Sequence, residues 1–164
     1  MTYDGSVSIP ISAGSYTVVA IVNNANYQGS ATNTLVVGKA TALVALSGLS
    51  QTYDGTAKSV TVDTTPSDLT VNVTYDGSVS IPISAGSCTV VAIVNNVNYQ
   101  GSATNTLVIG KATALVALSG LSQMYDGTAK PVTVSTTPSG LTVSVTYDGS
   151  VSYTHLTLPT ILRV

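Results

Sequence analysis

The residues best suited to acid–base or metal chemistry are carboxylates, and this chain has seven, all of them Asp. Five of the seven stand in Asp-Gly pairs: Asp4, Asp54, Asp76, Asp126 and Asp148. An acid–base enzyme needs neighbouring groups whose environments separate their pKa values, and Ca²⁺ needs about six to eight oxygen ligands. An isolated Asp-Gly pair supplies one carboxylate and is typical of tight turns. The pattern therefore predicts turns, with calcium binding as a weaker alternative and no catalytic site.

Nucleophilic catalysis and thiol chemistry have little support in the residue inventory. The only His is His155, so a Ser–His pair would depend on this single base near the end of the sequence. The only Cys is Cys88, and one Cys allows neither an intramolecular disulfide nor a Cys-based zinc site. The preceding copy of the repeat described below has Tyr16 at this position, which indicates a neutral substitution. We expect no enzyme activity, no metal site and no cofactor.

Tyrosine is the only aromatic residue type, with nine copies and neither Phe nor Trp. Tyr53, Tyr75, Tyr99 and Tyr125 stand beside turn signals, as does Tyr147. Exposed Tyr is a common contact for sugars and proteins, because it offers a rigid surface and a hydroxyl. We interpret the first four as candidate ligand contacts. The favoured alternative is that these side chains anchor strand ends in the core.

Charge and hydropathy argue against two classes of partner. Only 7% of the residues are charged, the net charge is -2, and the Lys residues are scattered singly. Nucleic-acid-binding proteins instead carry a basic patch or stripe. No apolar run approaches the roughly 20 residues of a membrane helix, and no leader with a basic and an apolar region opens the sequence. We expect neither nucleic-acid binding nor membrane insertion by this segment.

A repeat of 72 residues organises the chain. Residues 2–73 and 74–145 align without gaps and are identical at 64 of 72 positions. The composition is rich in Val, Thr, Ser and Ala and has no Glu, which disfavours helices and suits strands. Solenoid and propeller repeats span about 20 to 50 residues. The longer period predicts whole β domains in tandem.

The junction between Gly and Lys in Gly38-Lys39 and Gly110-Lys111 supplies the domain boundary. Segment 39–110 is predicted to be one complete domain, 1–38 the C-terminal part of a preceding repeat, and 111–152 the N-terminal part of a following one. Met1 stands where the next copy has Val73, in the middle of a strand pattern. We therefore expect the sequence to be a piece of a longer chain.

Alternation of apolar and polar residues predicts the strands. Residues 69–75 alternate as a half-buried strand does, and residues 60–63 show a shorter pattern of the same kind. Residues 79–83 alternate too, and Pro82 assigns them to an edge because proline donates no backbone hydrogen bond. Residues 88–94 are apolar on both faces, as in a central strand. Further strands are predicted at residues 103–109 and 113–118.

These strands, with turn signals about every ten residues, predict an all-β fold. The expected architecture is a tandem of small antiparallel β-sandwiches with immunoglobulin-like, Greek-key connections. Six or seven short strands are expected in residues 39–110. A β-grasp-like roll is the alternative, although no segment has the pattern of the helix that lies across such a sheet.

Two stretches carry a family resemblance: LSGLSQTYDGTAKSVTVDTTPSDLTVNVTYDGS at 46–78 and SAGSYTVVAIVNNANYQGSATNTLVVGKA at 12–40. They resemble the MBG and YDG type repeat domains of large secreted bacterial surface proteins. Two Tyr-Asp-Gly triplets, an Ala-Gly-Ser-Tyr-Thr-Val strand and an Asn-Tyr-Gln-Gly-Ser link occur in order, and the resemblance covers residues 2–152. It implies a tandem array on an adhesin-like or autotransported protein at the bacterial cell surface, outside the cell. It brings no catalytic residue.

The last twelve residues break the repeat. Residues 147–152 repeat residues 75–80, and the identity then stops. The only His and the only Arg of the chain both lie past residue 152. Residues 153–164 resemble translated sequencing adapter found on unrelated proteins from shotgun assemblies. We interpret them as a non-native tail, with a genuine C-terminal strand as the alternative.

Two functions from different classes fit these expectations. The first is a structural spacer that holds a more specialised tip of a cell-surface protein away from the cell. The second is a weakly adhesive module that binds surface glycans or host glycoproteins through repeated Tyr-bearing turns, with affinity gained by multivalency. In both, the nearest partners are the neighbouring repeats of the same chain.

Overall fold

The computed structural model describes residues 1–147 and, for the backbone alone, residues 151–155. These residues contain fifteen β-strands and no helix. The chain divides into two compact units, Met1–Lys111 and Ala112–Val164. The all-β prediction is confirmed. Within the described residues, no helix has the length and hydropathy to cross a membrane.

The N-terminal segment forms a three-stranded antiparallel sheet in the order β1–β2–β3. Its strands are β1 (Thr2–Tyr3), β2 (Gly14–Ile21) and β3 (Ser30–Val37). Tyr16 of β2 lies opposite Leu35 of β3. This register returns 72 residues later, where Cys88 lies opposite Leu107. The two copies therefore pair these strands in the same way.

The central repeat, residues 39–110, contains eight strands rather than the six or seven expected. In chain order they are β4 (Ala40–Thr41), β5 (Leu43–Ser47), β6 (Ser50–Thr52), β7 (Thr61–Thr65), β8 (Val71–Tyr75), β9 (Gly86–Val94), β10 (Tyr99–Gln100) and β11 (Ser102–Gly110). One sheet has the order β6–β11–β9–β8. Two further pairs join β5 to β7 and β4 to β10.

Two of these pairings are parallel, which corrects the expectation of purely antiparallel sheets. β6 runs parallel to β11, with Ser50 opposite Val108, and β4 runs parallel to β10. Parallel neighbours need a long connection, and here β7, β8, β9 and β10 all lie between β6 and β11 in the chain. Alternation of side chains is the same in either direction, so the pattern could not reveal it. The immunoglobulin-like topology stays a prediction.

The core of the central repeat lies between the β5–β7 pair and the four-stranded sheet. Val90, Ala92 and Leu107 are 0% exposed. One buried cluster contains Ala42, Val44, Ala92 and Val94, and the other contains Tyr75, Val90, Leu107 and Ile109. The central strand predicted at residues 88–94 is confirmed by β9, which pairs on both sides. Its outer face is open, because Ile93 is 53% exposed.

The edge strand predicted at residues 79–83 is wrong, since this described segment forms no strand. Val79 is 80% exposed, so the alternating apolar residues here cover no core. The Lys58 N–H donates to the Pro82 carbonyl at 2.8 Å. Because Pro82 has no N–H to return, one hydrogen bond at this point does not extend into a ladder.

The described part of the C-terminal unit contains two antiparallel pairs, β12 with β13 and β14 with β15. Its strands are β12 (Leu115–Ser119), β13 (Thr133–Thr137), β14 (Val143–Tyr147) and β15 (Val151–His155). β15 includes the first three positions of the predicted non-native tail. Residues 156–164 lie outside the described residues, and the interpretation of the tail stays a prediction.

Candidate functional site

The second Tyr-Asp-Gly triplet of the repeat makes a two-residue hairpin turn. Asp76 and Gly77 have φ angles of 47° and 81°. The Tyr75 N–H donates to the Ser78 carbonyl at 2.7 Å, and the Ser78 N–H returns a bond to the Tyr75 carbonyl at 2.9 Å. Positive φ at both central residues is the requirement of a type I′ turn, which Asp-Gly meets at low cost. The turn predicted from this Asp-Gly pair is confirmed.

The Asp76 carboxylate is committed to the backbone of the neighbouring strand. Its Oδ1 accepts the Thr89 N–H at 2.7 Å. The first copy repeats the contact, with Asp4 Oδ1 accepting the Thr17 N–H at 2.6 Å. A charged acceptor strengthens such a hydrogen bond. The carboxylate therefore links its hairpin turn to β9 in the central repeat and to β2 in the first repeat.

Tyr75 lies in the core beneath this turn. The side chain is 7% exposed and packs with Val90 and Leu107. Its hydroxyl accepts the Val60 N–H at 3.1 Å. The equivalent Tyr147 hydroxyl accepts the Val132 N–H at 3.0 Å. This placement favours the anchoring interpretation for Tyr75, because most of its surface is already covered by the protein.

The first triplet builds an exposed loop that we call the Asp54 loop, residues 53–58. Asp54 Oδ1 accepts the backbone N–H of Thr56 at 2.9 Å and its hydroxyl at 2.6 Å, while Oδ2 pairs with Lys58 Nζ at 2.5 Å. The hydrogen bond from Lys58, and after it those from Thr56, hold the pKa of Asp54 well below its ordinary value. A carboxylate stabilised in its ionised form is a weak general base.

The next repeat builds the same loop. Asp126 pairs with Lys130 and accepts the Thr128 N–H at 2.9 Å. Its pKa is lowered, first by the Lys130 hydrogen bond and then by those from Thr128. One sequence motif, Tyr-Asp-Gly-Thr-Ala-Lys, therefore makes one local structure at two places. The feature is a property of the repeat.

The four candidate tyrosines are not gathered at one site. Tyr53 opens the Asp54 loop and is 42% exposed. Tyr125 holds the same position in the equivalent loop of the next repeat and is 94% exposed. Tyr99 is half-buried in β10 and packs with the cluster around Ala92, whereas Tyr75 belongs to the other cluster. Of the four, Tyr53 and Tyr125 are the exposed ones. The assignment of all four as ligand contacts stays a prediction.

Matches to a known family model recur along the chain with the same 72-residue period. A model of the MBG domain matches residues 1–41, 42–113 and 114–157. The chain belongs to the MBG domain family. The prediction of MBG-type tandem repeats is confirmed. Among curated proteins and among solved structures, none matches the chain.

The three MBG matches begin and end close to the predicted domain boundaries. The central match, 42–113, is displaced by three residues from the predicted domain at 39–110. In the structure, β4 to β11 all lie within residues 39–110. The boundaries themselves stay predictions.

A contact between consecutive MBG repeats was missed by the sequence analysis. Asn98 Oδ1 of the central repeat accepts the Ala13 N–H of the first repeat at 2.8 Å. Beside it, Lys39 Nζ donates to the Asn96 carbonyl at 2.7 Å. Asn96 Oδ1 accepts the Asn98 N–H at 2.8 Å and so orders the loop that carries Asn98.

The sequence carries no specific signal for this junction. Asn96 and Asn98 recur in the first copy as Asn24 and Asn26, but the two copies are identical at 64 of 72 positions, so this recurrence does not single them out. The partner Ala13 could not be identified, because its contribution is a backbone N–H.

In the part of the chain that the structure describes, the remaining reactive side chains form no cluster that could hold a metal. Burial raises the pKa of the half-buried Cys88 thiol, and the charge of Asp76 adds to this effect. The described residues contain no group of three or more His, Cys or Asp side chains placed to hold a metal. A shallow cavity of ≈ 280 Å³ has Asp63 and Asp68 in its lining, which are Ser135 and Gly140 in the next copy.

Proposed function

We propose that this chain is a structural spacer from a large bacterial cell-surface protein, where it holds a more specialised tip away from the cell. The observation that carries the proposal is the succession of MBG matches along the chain, joined by a specific hydrogen bond from one repeat to the next. Low charge and near-identical copies support it, because a spacer needs length and uniform joints. The proposed location is extracellular, on an adhesin-like protein.

The junction supports a spacer because it limits rotation between the repeats. The Ala13–Asn98 bond crosses from the first repeat to the central one, and the Lys39–Asn96 bond holds the connecting residue against the same loop. Each such bond contributes roughly 0.5–1.5 kcal/mol, and two together restrict a joint that a free linker would leave mobile. Ala85 and Lys111 provide the same residue types one period later.

Removal of the Asn98 amide is expected to loosen this joint. In Asn98→Ala, the Ala13 amide loses its acceptor and should exchange with solvent about tenfold faster or more. Nitroxide labels are attached to Cys residues placed at Thr32 and Thr104, in a Cys88→Tyr background that removes the native thiol. In Asn98→Ala, the distribution of distances between the two labels, measured by pulsed electron resonance, should broaden. Asn26→Ala, at the same position of the first repeat, is the control and should leave both measurements unchanged.

The width of the label distance distribution in the parent chain distinguishes a spacer with a fixed joint from repeats joined by a flexible linker. A narrow label distance that broadens only in Asn98→Ala supports the spacer. A distribution already broad in the parent chain, or one that Asn98→Ala does not change, counts against a joint set by this contact.

A second candidate function is weak binding of surface glycans or host glycoproteins through the Asp54 loop and its equivalent in the next repeat. The observation that favours it is the exposure of Tyr53 and Tyr125, at 42% and 94%, at one position of successive repeats. Each Tyr stands beside an Asp–Lys pair whose Asp side chain is exposed, at 57% for Asp54 and 59% for Asp126, so each loop presents an aromatic ring and a carboxylate to solvent. Regular spacing would let weak sites act together.

This adhesive function predicts binding that rises with copy number. The parent chain and a version extended by further copies of residues 39–110 should be compared on immobilised mucin and on a glycan panel. If adhesion is correct, apparent affinity increases at least about tenfold with length, and Tyr→Ala at every Tyr53 position abolishes the increase. Ala at every Leu43 position, which is 69% exposed, is the control. A folded long version that binds nothing contradicts adhesion and leaves the spacer proposal intact.

A further inference from the structure

Asp-Gly pairs are open to a spontaneous modification of the main chain. The backbone nitrogen of the glycine attacks the Cγ of the preceding Asp, because glycine has no Cβ to obstruct the approach. A C–N bond forms, the bond from Cγ to the carboxyl OH breaks, and this OH leaves as water with the amide proton. Water then opens the five-membered imide. Opening at the backbone carbonyl leaves an isoaspartate, which has one extra carbon in the main chain.

The glycines of the Asp-Gly pairs are unshielded in this structure. Four of the five pairs lie in the described residues, and their glycines are Gly5, Gly55, Gly77 and Gly127. A Cβ built on any of these four would meet no atom within 4 Å beyond the chain neighbours. Packing around the glycine therefore does not block the attack, and any protection has to come from the Asp side.

The Asp residues of the hairpin turns are held by a backbone donor. Asp76 Oδ1 accepts the Thr89 N–H at 2.7 Å, and Asp4 Oδ1 accepts the Thr17 N–H at 2.6 Å. The Asp76 N–H also donates to the Thr89 carbonyl at 2.8 Å, so backbone and side chain are both fixed to β9. In these two pairs, the turn itself holds the carboxylate.

The Asp residues of the exposed loops are held by side-chain donors instead. Asp54 Oδ1 accepts the Thr56 hydroxyl at 2.6 Å, and Oδ2 pairs with Lys58 Nζ at 2.5 Å. The Lys58 side chain is only 11% exposed, so this pair is more fixed than an ordinary surface ion pair. Asp126 is held by the same two residue types in the next repeat.

The Asp residues that no glycine follows are left free. Asp63 precedes Thr64, and Asp68 precedes Leu69. Both Asp side chains are exposed, and neither carboxylate forms a hydrogen bond or an ion pair with another described residue. A side chain on the following residue obstructs the attack at these two positions. In the described part of the chain, carboxylates are thus held where the attack is open and free where it is obstructed.

The contacts of Asp54 oppose the attack in two ways. The carboxyl group has to turn its Cγ toward the Gly55 nitrogen, and donors that fix both oxygens resist this rotation. The reacting form is the neutral carboxyl, because its OH leaves as water. The hydrogen bond from Lys58, and after it those from Thr56, lower the pKa of Asp54 and so reduce the neutral fraction.

We propose that the side chains of Thr56 and Lys58 protect the Asp54-Gly55 bond from isoaspartate formation. The equivalent loop protects the bond after Asp126 in the same way. An isoaspartate would lengthen the main chain inside a loop whose exposed face recurs in each repeat. The inference depends on neither the spacer role nor the adhesive role.

Removal of the two side-chain donors tests the proposal. The double variant Thr56→Val, Lys58→Met keeps side chains of similar size and leaves the backbone donors in place. The folded chain is incubated at physiological temperature and neutral pH, and isoaspartate is quantified at each Asp-Gly bond by enzymatic methyl labelling and peptide mass spectrometry. Its rate of formation at Asp54 should rise at least about fivefold, because the carboxylate loses a hydroxyl donor and a charged donor. The rate at Asp126 should stay unchanged.

The repeat supplies matched controls. Thr128→Val with Lys130→Met should raise the rate at Asp126 and leave the rate at Asp54 unchanged. Lys39→Met removes a lysine that donates to a backbone carbonyl rather than to an Asp, and should change neither rate. The parent chain unfolded in urea gives the unprotected rate, which should exceed the rate at Asp54 in the folded chain at least about tenfold.

The proposal fails on any of three results. The first is a folded parent chain in which Asp54 reacts as fast as it does in urea. The second is a folded Thr56→Val, Lys58→Met variant with an unchanged rate at Asp54. The third is an equal rise at Asp54 and Asp76 in that variant, which indicates general loosening of the repeat. Circular dichroism of every variant establishes that its strands persist.

Discussion

Leu107→Ala is expected to lower the free energy of unfolding of the central repeat by about 2–5 kcal/mol. Leu107 is 0% exposed and packs with Tyr75, Val90 and Ile109. Truncation removes buried methyl groups and leaves a cavity among strands that pair on both sides and relax little. Leu35→Ala makes the same change at the same repeat position, where the side chain is 37% exposed, and should cost less than about 1.5 kcal/mol.

Native-state hydrogen exchange separates these two effects, because the slow amides of β9 and β11 report on the central repeat alone. Equal losses of stability in Leu107→Ala and Leu35→Ala would contradict the assignment of the core to the central repeat.

Gly101→Ala is expected to destabilise the central repeat by about 1–3 kcal/mol through a steric clash. A Cβ at Gly101 would lie 2.3 Å from the carbonyl oxygen of Ala42. Ala42 is 4% exposed, and its N–H donates to the Gln100 carbonyl at 2.8 Å, so neither side can move without disturbing the β4–β10 region. The backbone must shift, and the buried Ala42 shifts with it.

Gly29→Ala is the matched control for this clash. Gly29 holds the same position in the first repeat, where an added Cβ would meet Val22 Cγ2 at 3.5 Å, an ordinary contact. Its effect should stay within about 0.5 kcal/mol. Thermal unfolding followed by circular dichroism measures both variants, and exchange of the Ala42 amide locates the damage. A Gly101→Ala protein with unchanged stability and a slow Ala42 amide would contradict the close approach of these two backbones.

Local sequence features determined most of the strands and one kind of turn. Alternation placed β8 and β11 within a few residues, since a half-buried strand requires alternation wherever it lies. The Asp76-Gly77 turn followed from the φ angles that this dipeptide accepts. Alternation failed at residues 79–83, because the same pattern occurs where no neighbouring strand supplies hydrogen bonds and Pro82 lacks a donor.

Identical triplets in one repeat acquire different roles only in the tertiary structure. Tyr75 is buried and accepts the Val60 N–H, whereas Tyr53 is 42% exposed at the Asp54 loop. Nothing within Tyr-Asp-Gly distinguishes the two. The difference arises from other strands: Tyr75 packs with Val90 of β9 and Leu107 of β11, which belong to the same sheet, while Tyr53 leaves the sheet edge after one backbone bond to Gly110.

By itself, the sequence determined the repeat, the all-β class, the family resemblance and the turn chemistry, because each depends only on residue types and their order along the chain. The tertiary structure alone decided the parallel direction of β6, the Ala13–Asn98 junction and the burial of Leu107 but not Leu35. These depend on which distant segments meet. Leu107 is buried because Leu46 of β5, which is distant in the chain, packs against its cluster, and the local pattern around Leu107 carries no record of that partner.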